Sequence, residues 1–238
     1  MQTELQPIHP VRKHRRRRRR RNPLRPLLPA LLVILALIIA AAVSRGTSRA
    51  YPWILRHSHL LHTEVQSPSE LPDWIEQELI PVNQYSRPGT PLEQVNGIVV
   101  HYVGNPGTTA QNNRDYFASL AETGETSASS HFVIGLDGTI IQCVPLNEIA
   151  YCSNDRNDDT ISIECCHPDK DGKFTDATYA SLVRLTAYLA DYYGLKEKDI
   201  IRHYDVTGKE CPIYFVKHED AWAQFRSDVS AYIKENYK

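Results

Sequence analysis

Cysteine is scarce: five residues among 238, an odd number and too few to staple a small fold by disulfides. No internal repeat is present. Positive charge is in deficit in the body of the chain. Ten of the 27 Lys and Arg lie in residues 1–25, and the other 213 residues carry 17 basic and 27 acidic side chains, a balance of −10 that the overall net charge of −1 hides. An acidic body is a poor nucleic-acid binder, and no nucleic-acid partner is expected. What the chain does have is 42% hydrophobic and 23% charged residues. That balance suits a globular protein and argues against wholesale disorder.

The N-terminus reads as a membrane address. Residues 27–43, LLPALLVILALIIAAAV, hold 17 positions without a charge. As a helix this run is roughly 25 Å long, slightly short of a ~30 Å hydrocarbon core, and Leu24, Pro26 and Ser44 make up part of the difference. The arginine run Arg15 to Arg21 precedes it closely, whereas only Arg45 and Arg49 follow closely. This bias puts the N-terminus in the cytoplasm and everything after Ser44 outside. The expected layout is a basic cytoplasmic tail (1–26), a single-pass transmembrane anchor (27–44), a linker (45–70) and a folded domain (71–238). A signal peptide cleaved near Ala40 to Ala42 is the alternative, and it would yield a secreted protein. The arginines also suit anionic headgroups or nucleic acid, beside their role as a topology signal. The linker includes His57, His59 and His62, without Cys or acid at ligand spacing, and these read as surface residues.

From about Leu71 strands alternate with helices. Gly97 to Val103 is a β-branched apolar run bounded by turn residues, so it reads as a buried strand. Residues 110–121 look helical, with Tyr116, Phe117 and Leu120 on one side. His131 to Leu136 and Thr139 to Val144 flank the Asp137-Gly138 turn of a hairpin. Residues 160–166, TISIECC, form another strand. Residues 176–193 form a helix stopped by Gly194, with Tyr179, Leu182, Val183, Thr186, Leu189 and Tyr193 on one stripe. Residues 219–235 form a last helix that buries Trp222, Phe225, Val229, Tyr232 and Ile233. The fold class is α/β, a mixed central β-sheet flanked by helices, after the N-terminal transmembrane helix.

The chemistry gathers at strand ends. In HYDVTGKECP, His203 and Cys211 stand eight positions apart across a Gly-containing loop. Imidazole nitrogen and thiolate sulfur are favoured Zn²⁺ ligands, and His101, at the end of the first strand, is a third candidate. Three protein ligands and one open position describe a catalytic zinc. The other reading makes His101 a satisfied core histidine and Cys211 a small buried hydrophobe. Strand alternation puts Ser162, Glu164 and Cys166 on one face and Ile161, Ile163 and Cys165 on the other. A carboxylate inside such a strand is costly to bury unpaired. Glu164 is therefore a candidate general base with a raised pKa, or else one half of a salt bridge. Lys209, two residues before Cys211, could stabilise an oxyanion or be an ordinary solvated lysine. His131, at a strand start, reads as structural. His167 and His218 read as surface residues.

The segments IVVHYVGNPG, SSHFVIGLDGTIIQCVP, TISIECCHPDKDGKFT and IIRHYDVTGKECP resemble the zinc-dependent N-acetylmuramoyl-L-alanine amidases, the type-2 amidases that share a fold with peptidoglycan recognition proteins. The resemblance runs over about residues 72–238. It implies zinc held by His101, His203 and Cys211, Glu164 as general base and Lys209 assisting the transition state. It also implies hydrolysis of the amide between N-acetylmuramic acid and L-alanine in peptidoglycan. Two positions depart from the pattern. Ser130 stands where some relatives carry a catalytic Tyr, which aligns this chain with the Glu-using branch. Cys152 stands in the place of a His that relatives often carry after the central hairpin, which affects a groove contact. The alternative function is a non-catalytic peptidoglycan-binding module of the same fold. The expected partners are peptidoglycan and, through the N-terminal helix, the membrane, with the protein a monomer. Cys143, Cys152, Cys165 and Cys166 carry no assigned bridge, and Cys165 and Cys166 should not pair because they face opposite ways.

Overall fold

The computed structural model describes residues 65–237. The basic tail, the expected anchor at 27–44 and the linker up to residue 64 lie outside the described residues. No helix among the described residues is long and apolar enough to cross a membrane.

Six strands form one mixed sheet: β1 (Glu76–Gln77), β2 (Gly97–Tyr102), β3 (Phe132–Ile134), β4 (Ile140–Gln142), β5 (Thr160–Cys165) and β6 (Ile200–Arg202), in the order β1-β4-β3-β5-β2-β6. Strands β3, β5, β2 and β6 are mutually parallel, and β4 runs antiparallel to β3. β1 was not foreseen. Its two residues, Glu-Gln, are exposed and carry no hydrophobic alternation, yet they add an edge strand beside β4. The hairpin forms at the expected turn, where Gly138 adopts φ +87°. A Cβ there would lie 2.9 Å from Ser181 Oγ and 3.0 Å from the Ala177 carbonyl, so the turn needs glycine for close packing as well as for φ.

β2 is apolar on both faces as far as Val100, whereas β5 alternates, with Ile161, Ile163 and Cys165 on one face and Ser162 and Glu164 on the other, and helices lie on both faces of the sheet. α1 (Ala110–Thr123) starts at a capping box in which Thr109 Oγ1 accepts from the Asn112 backbone N–H and Asn112 Oδ1 accepts from that of Thr109. It buries Ala110, Asn113, Phe117 and Leu120. Tyr116, expected inward, is instead 42% exposed, because the buried stripe continues through Asn113. α1 packs on β3 and β4. The other face carries α2 (Asp176–Tyr193), ended by Gly194 in the left-handed region, and α5 (Glu219–Asn236), which packs against α2. Between them Phe215, Trp222 and Phe225 stack with ring centroids 5.3–5.5 Å apart.

Two short helices, α3 (His203–Thr207) and α4 (Ile213–Lys217), occupy the segment that reads in sequence as a loop. The buried Arg202 guanidinium explains their order. It donates to Asp205 and Glu219 carboxylates and to the Phe215 carbonyl, so one side chain ties α3, α4 and α5 together. Because α1 sits over β3 and β4, the ends of β2 and β5 on that face are left to loops, and the functional side chains gather there.

Candidate functional site

Parallel pairing places His101 of β2 directly beside Glu164 of β5. β6, on the other side of β2, delivers His203 as the first residue of α3. The chain then turns through Gly208 and returns to Cys211, whose carbonyl accepts from the Tyr204 N–H and whose N–H donates to the Lys209 carbonyl. The ligand atoms of His101, His203 and Cys211 all lie within 4.8 Å of one another, and all three residues are buried.

Two of the three separations lie close to those of a tetrahedral ion. His101 Nδ1 lies 3.1 Å from His203 Nδ1, and Cys211 Sγ lies 3.9 Å from His101 Nδ1. Bond lengths of about 2.0–2.1 Å for Zn–N and 2.3 Å for Zn–S at the tetrahedral angle require separations of roughly 3.3 and 3.6 Å. Burial lowers the pKa of both imidazoles, reinforced at His101 by His203 and at both by Lys209, so they are neutral as ligands must be. Burial pushes the Cys211 thiol up to about 12. A thiolate at this position thus needs a cation beside it, which a metal ion would supply.

Glu164 has no ion-pair partner among the described residues. Its Oε1 accepts from the Cys152 thiol at 3.6 Å, while the buried Oε2 has no hydrogen-bond partner. Burial raises its pKa to about 7, against smaller opposing effects of Cys152 and Lys209. One carboxylate oxygen is held and the other is left for a ligand. His101, Cys152 and Glu164 also bring ligand atoms within 4.8 Å. That set shares His101 with the first and spends its carboxylate on the thiol. Lys209 is exposed, and its charge acts on His101, His203, Glu164 and Cys211.

His131 is not part of this group. Its Nδ1 accepts from the Ser162 N–H at 3.0 Å and its Nε2 donates to the Glu148 carbonyl at 2.9 Å, which makes it a structural histidine with a pKa lowered by burial to about 4. His167, expected on the surface, is buried, with ring nitrogens 2.8 Å from the Val103 carbonyl and 2.6 Å from that of Asp169. The bend after β5 turns it under the 103–107 loop, a reversal that strand periodicity does not carry. His218 is exposed as expected. All five cysteines are free. Cys165 and Cys166 enter different core clusters on the two sides of the sheet.

Sequence reasoning missed the residues behind the candidate ligands. His101 Nε2 lies 3.1 Å from Ser153 Oγ, and His203 Nε2 lies 2.8 Å from Asn154 Oδ1. Both belong to the turn after the hairpin, where nothing in residue type points to a metal. The one available signal was general: ligand histidines need a partner for their outer nitrogen.

The sequence matches the family described as Amidase_2, N-acetylmuramoyl-L-alanine amidase, over residues 91–213. It is 37% identical over 169 residues to N-acetylmuramoyl-L-alanine amidase CwlL of Bacillus licheniformis, covering 65% of this chain and 46% of that protein. It is 34% identical over 173 residues to N-acetylmuramoyl-L-alanine amidase BlyA of Bacillus subtilis (strain 168), with coverages of 64% and 46%. The chain therefore spans about half the length of the curated relatives it matches. A solved structure of the catalytic domain of XlyA superposes with a TM-score of 0.54 at 29% identity, covering 65% of this chain and 98% of the other.

The raised pKa of Glu164 carries a stability consequence. A carboxyl whose pKa goes from 4.5 to about 7 on folding favours the fold fully below pH 4.5, and that contribution is lost as pH rises through 7. In urea unfolding of the metal-free chain, Glu164→Gln should gain on the order of 1–3 kcal/mol over wild type between pH 4.5 and 8. An unchanged difference across that range would show that the carboxyl is not held in a desolvated site.

Proposed function

The chain belongs to the N-acetylmuramoyl-L-alanine amidase family, and from that premise we propose that it hydrolyses the amide bond between N-acetylmuramic acid and L-alanine in peptidoglycan, with zinc as its cofactor. The observation that carries this reading is the meeting of His101, His203 and Cys211 beside a carboxylate with one free oxygen. The two Nδ1 atoms and Cys211 Sγ would hold the ion. When bound, it supplies Lewis acidity, polarising the scissile carbonyl and favouring a nucleophilic water near neutral pH.

The chain's own groups do the remaining work. Glu164 Oε2 accepts the proton of the attacking water and can return it to the departing L-alanine amine. A pKa near 7 suits both transfers, because the group is then a usable base and a usable acid at the same pH. The Cys152 thiol holds Oε1 and so turns Oε2 toward the reacting atoms. Lys209 lends positive charge to the oxyanion that forms as water adds to the carbonyl. A binding-only module of the same fold needs neither a complete ligand set nor a buried base, and this chain has candidates for both.

We also propose that residues 27–44 anchor the protein with its folded domain on the outer side of the cytoplasmic membrane, where the substrate lies. We further propose that peptidoglycan is the substrate and that the chain acts as a monomer.

Purified cell wall incubated with the full chain should release L-alanine amino termini, and a strong chelator should abolish the release until zinc is restored. Glu164→Gln should lower the rate roughly 10²–10⁴-fold with metal retained, and Lys209→Ala roughly 10²-fold. Wall binding without metal-dependent release would leave the binding module standing. For topology, external protease added to intact protoplasts should digest the domain and spare the N-terminal tail. A protected domain would overturn the outward placement.

A further inference from the structure

Each candidate ligand histidine is held from behind, and the two holders differ in chemistry. An amide oxygen only accepts hydrogen bonds, whereas a hydroxyl both donates and accepts. Asn154 Oδ1, 2.8 Å from His203 Nε2, therefore keeps the proton on Nε2 and leaves the Nδ1 lone pair pointing inward. Ser153 Oγ, 3.1 Å from His101 Nε2, imposes no such choice.

The 3.1 Å contact between the two Nδ1 atoms makes this difference matter. Two lone pairs at that distance repel. Without a metal the contact is favourable only if one Nδ1 carries a proton, and Asn154 has already assigned the lone pair to His203. His101 therefore donates from Nδ1, and its Nε2 accepts from the Ser153 hydroxyl. With a metal both Nδ1 lone pairs face the ion. The His101 proton then sits on Nε2, and the same hydroxyl rotates to accept it. The imidazole pair holds the same number of protons before and after, and only the nitrogen that carries one of them changes.

The turn is built to hold both acceptors still. Asn154 takes φ +52°, and among the described residues no other non-glycine has a positive φ. Asparagine tolerates that region better than most side chains. Asn157 Oδ1 accepts from the backbone N–H groups of both Cys152 and Ser153, at 3.0 and 2.6 Å. Arg156 pairs with Asp159 at 2.6 Å, and Thr160 Oγ1 donates to the Arg156 carbonyl, fastening the turn to the start of β5.

We propose that Ser153 and Asn154 are positioning residues for the metal centre, with Asn154 locking the tautomer of His203 and Ser153 acting as a rotor that accommodates the tautomer change of His101 on metal loading. The proposal rests on the zinc reading given above.

The test is a competition titration of zinc against a chromophoric chelator, on the full chain in detergent. Asn154→Gly keeps the turn's φ and removes the acceptor. It should weaken zinc binding roughly 10–100-fold while leaving the unfolding temperature of the metal-free chain no lower than wild type. Asn154→Asp restores an acceptor and should bind within about threefold of wild type. Ser153→Ala should lose less, up to roughly tenfold, and Ser153→Thr should lose little. Long-range ¹H–¹⁵N spectra of the metal-free protein should show His203 as the Nε2–H tautomer in wild type and as a mixture in Asn154→Gly. Wild-type affinity in Asn154→Gly or in Ser153→Ala overturns that residue's role. A wild-type chain that takes up no zinc overturns the metal reading itself, and this proposal with it.

Discussion

The register of β2 against its two parallel neighbours is the constraint on which the rest of the site depends. His101 must lie beside Glu164 and one strand away from the residue that leads into His203. A strand's side chains alternate, so a slip of one residue would turn His101 to the opposite face and put Val100 or Tyr102 in its place. The register is held by apolar residues on the other face. Ile98 and Val100 of β2, Ile161, Ile163 and Cys165 of β5, and Ile200 of β6 all enter one core cluster with the inward faces of α2 and α5. The site's geometry is thus maintained by burial on the side of the sheet away from it.

Desolvation then decides the charge states. With water excluded, both imidazoles are neutral, the Cys211 thiol keeps its proton and the Glu164 carboxyl titrates near 7. Such a cluster has little favourable electrostatics of its own. The lone pairs, the thiol and the unpartnered carboxylate oxygen are groups that a divalent cation would bring together. Lys209 is exposed, and its positive charge is felt by His101, His203, Glu164 and Cys211. The buried guanidinium of Arg202 serves the same centre indirectly, by clamping the helix that begins at His203.

Much of this was legible in the residues. A continuous β-branched run marked β2, alternation marked β5, the Asp137-Gly138 pair marked the hairpin, and a carboxylate in mid-strand marked Glu164. What escaped shares a physical character. β1 is two exposed polar residues recruited by an edge and has no pattern of its own. The helix at His203–Thr207 depends on Arg202 contacts that reach as far as Glu219, so local propensity does not announce it. His167 is buried by a chain reversal, and Tyr116 is exposed because Asn113 took the inward place that an apolar residue would have marked. Ser153 and Asn154 are ordinary turn residues in sequence. Their meaning comes from two histidines about fifty positions away on either side.

If His101, His203 and Cys211 share one ion, as proposed, X-ray absorption at the zinc edge reports its neighbours. On the full chain loaded with one equivalent of zinc, two nitrogen ligands at about 2.0–2.1 Å and one sulfur at about 2.3 Å are expected. The sulfur contribution should vanish in Cys211→Ser. A spectrum with only oxygen and nitrogen neighbours, or with sulfur that persists in that variant, would contradict it.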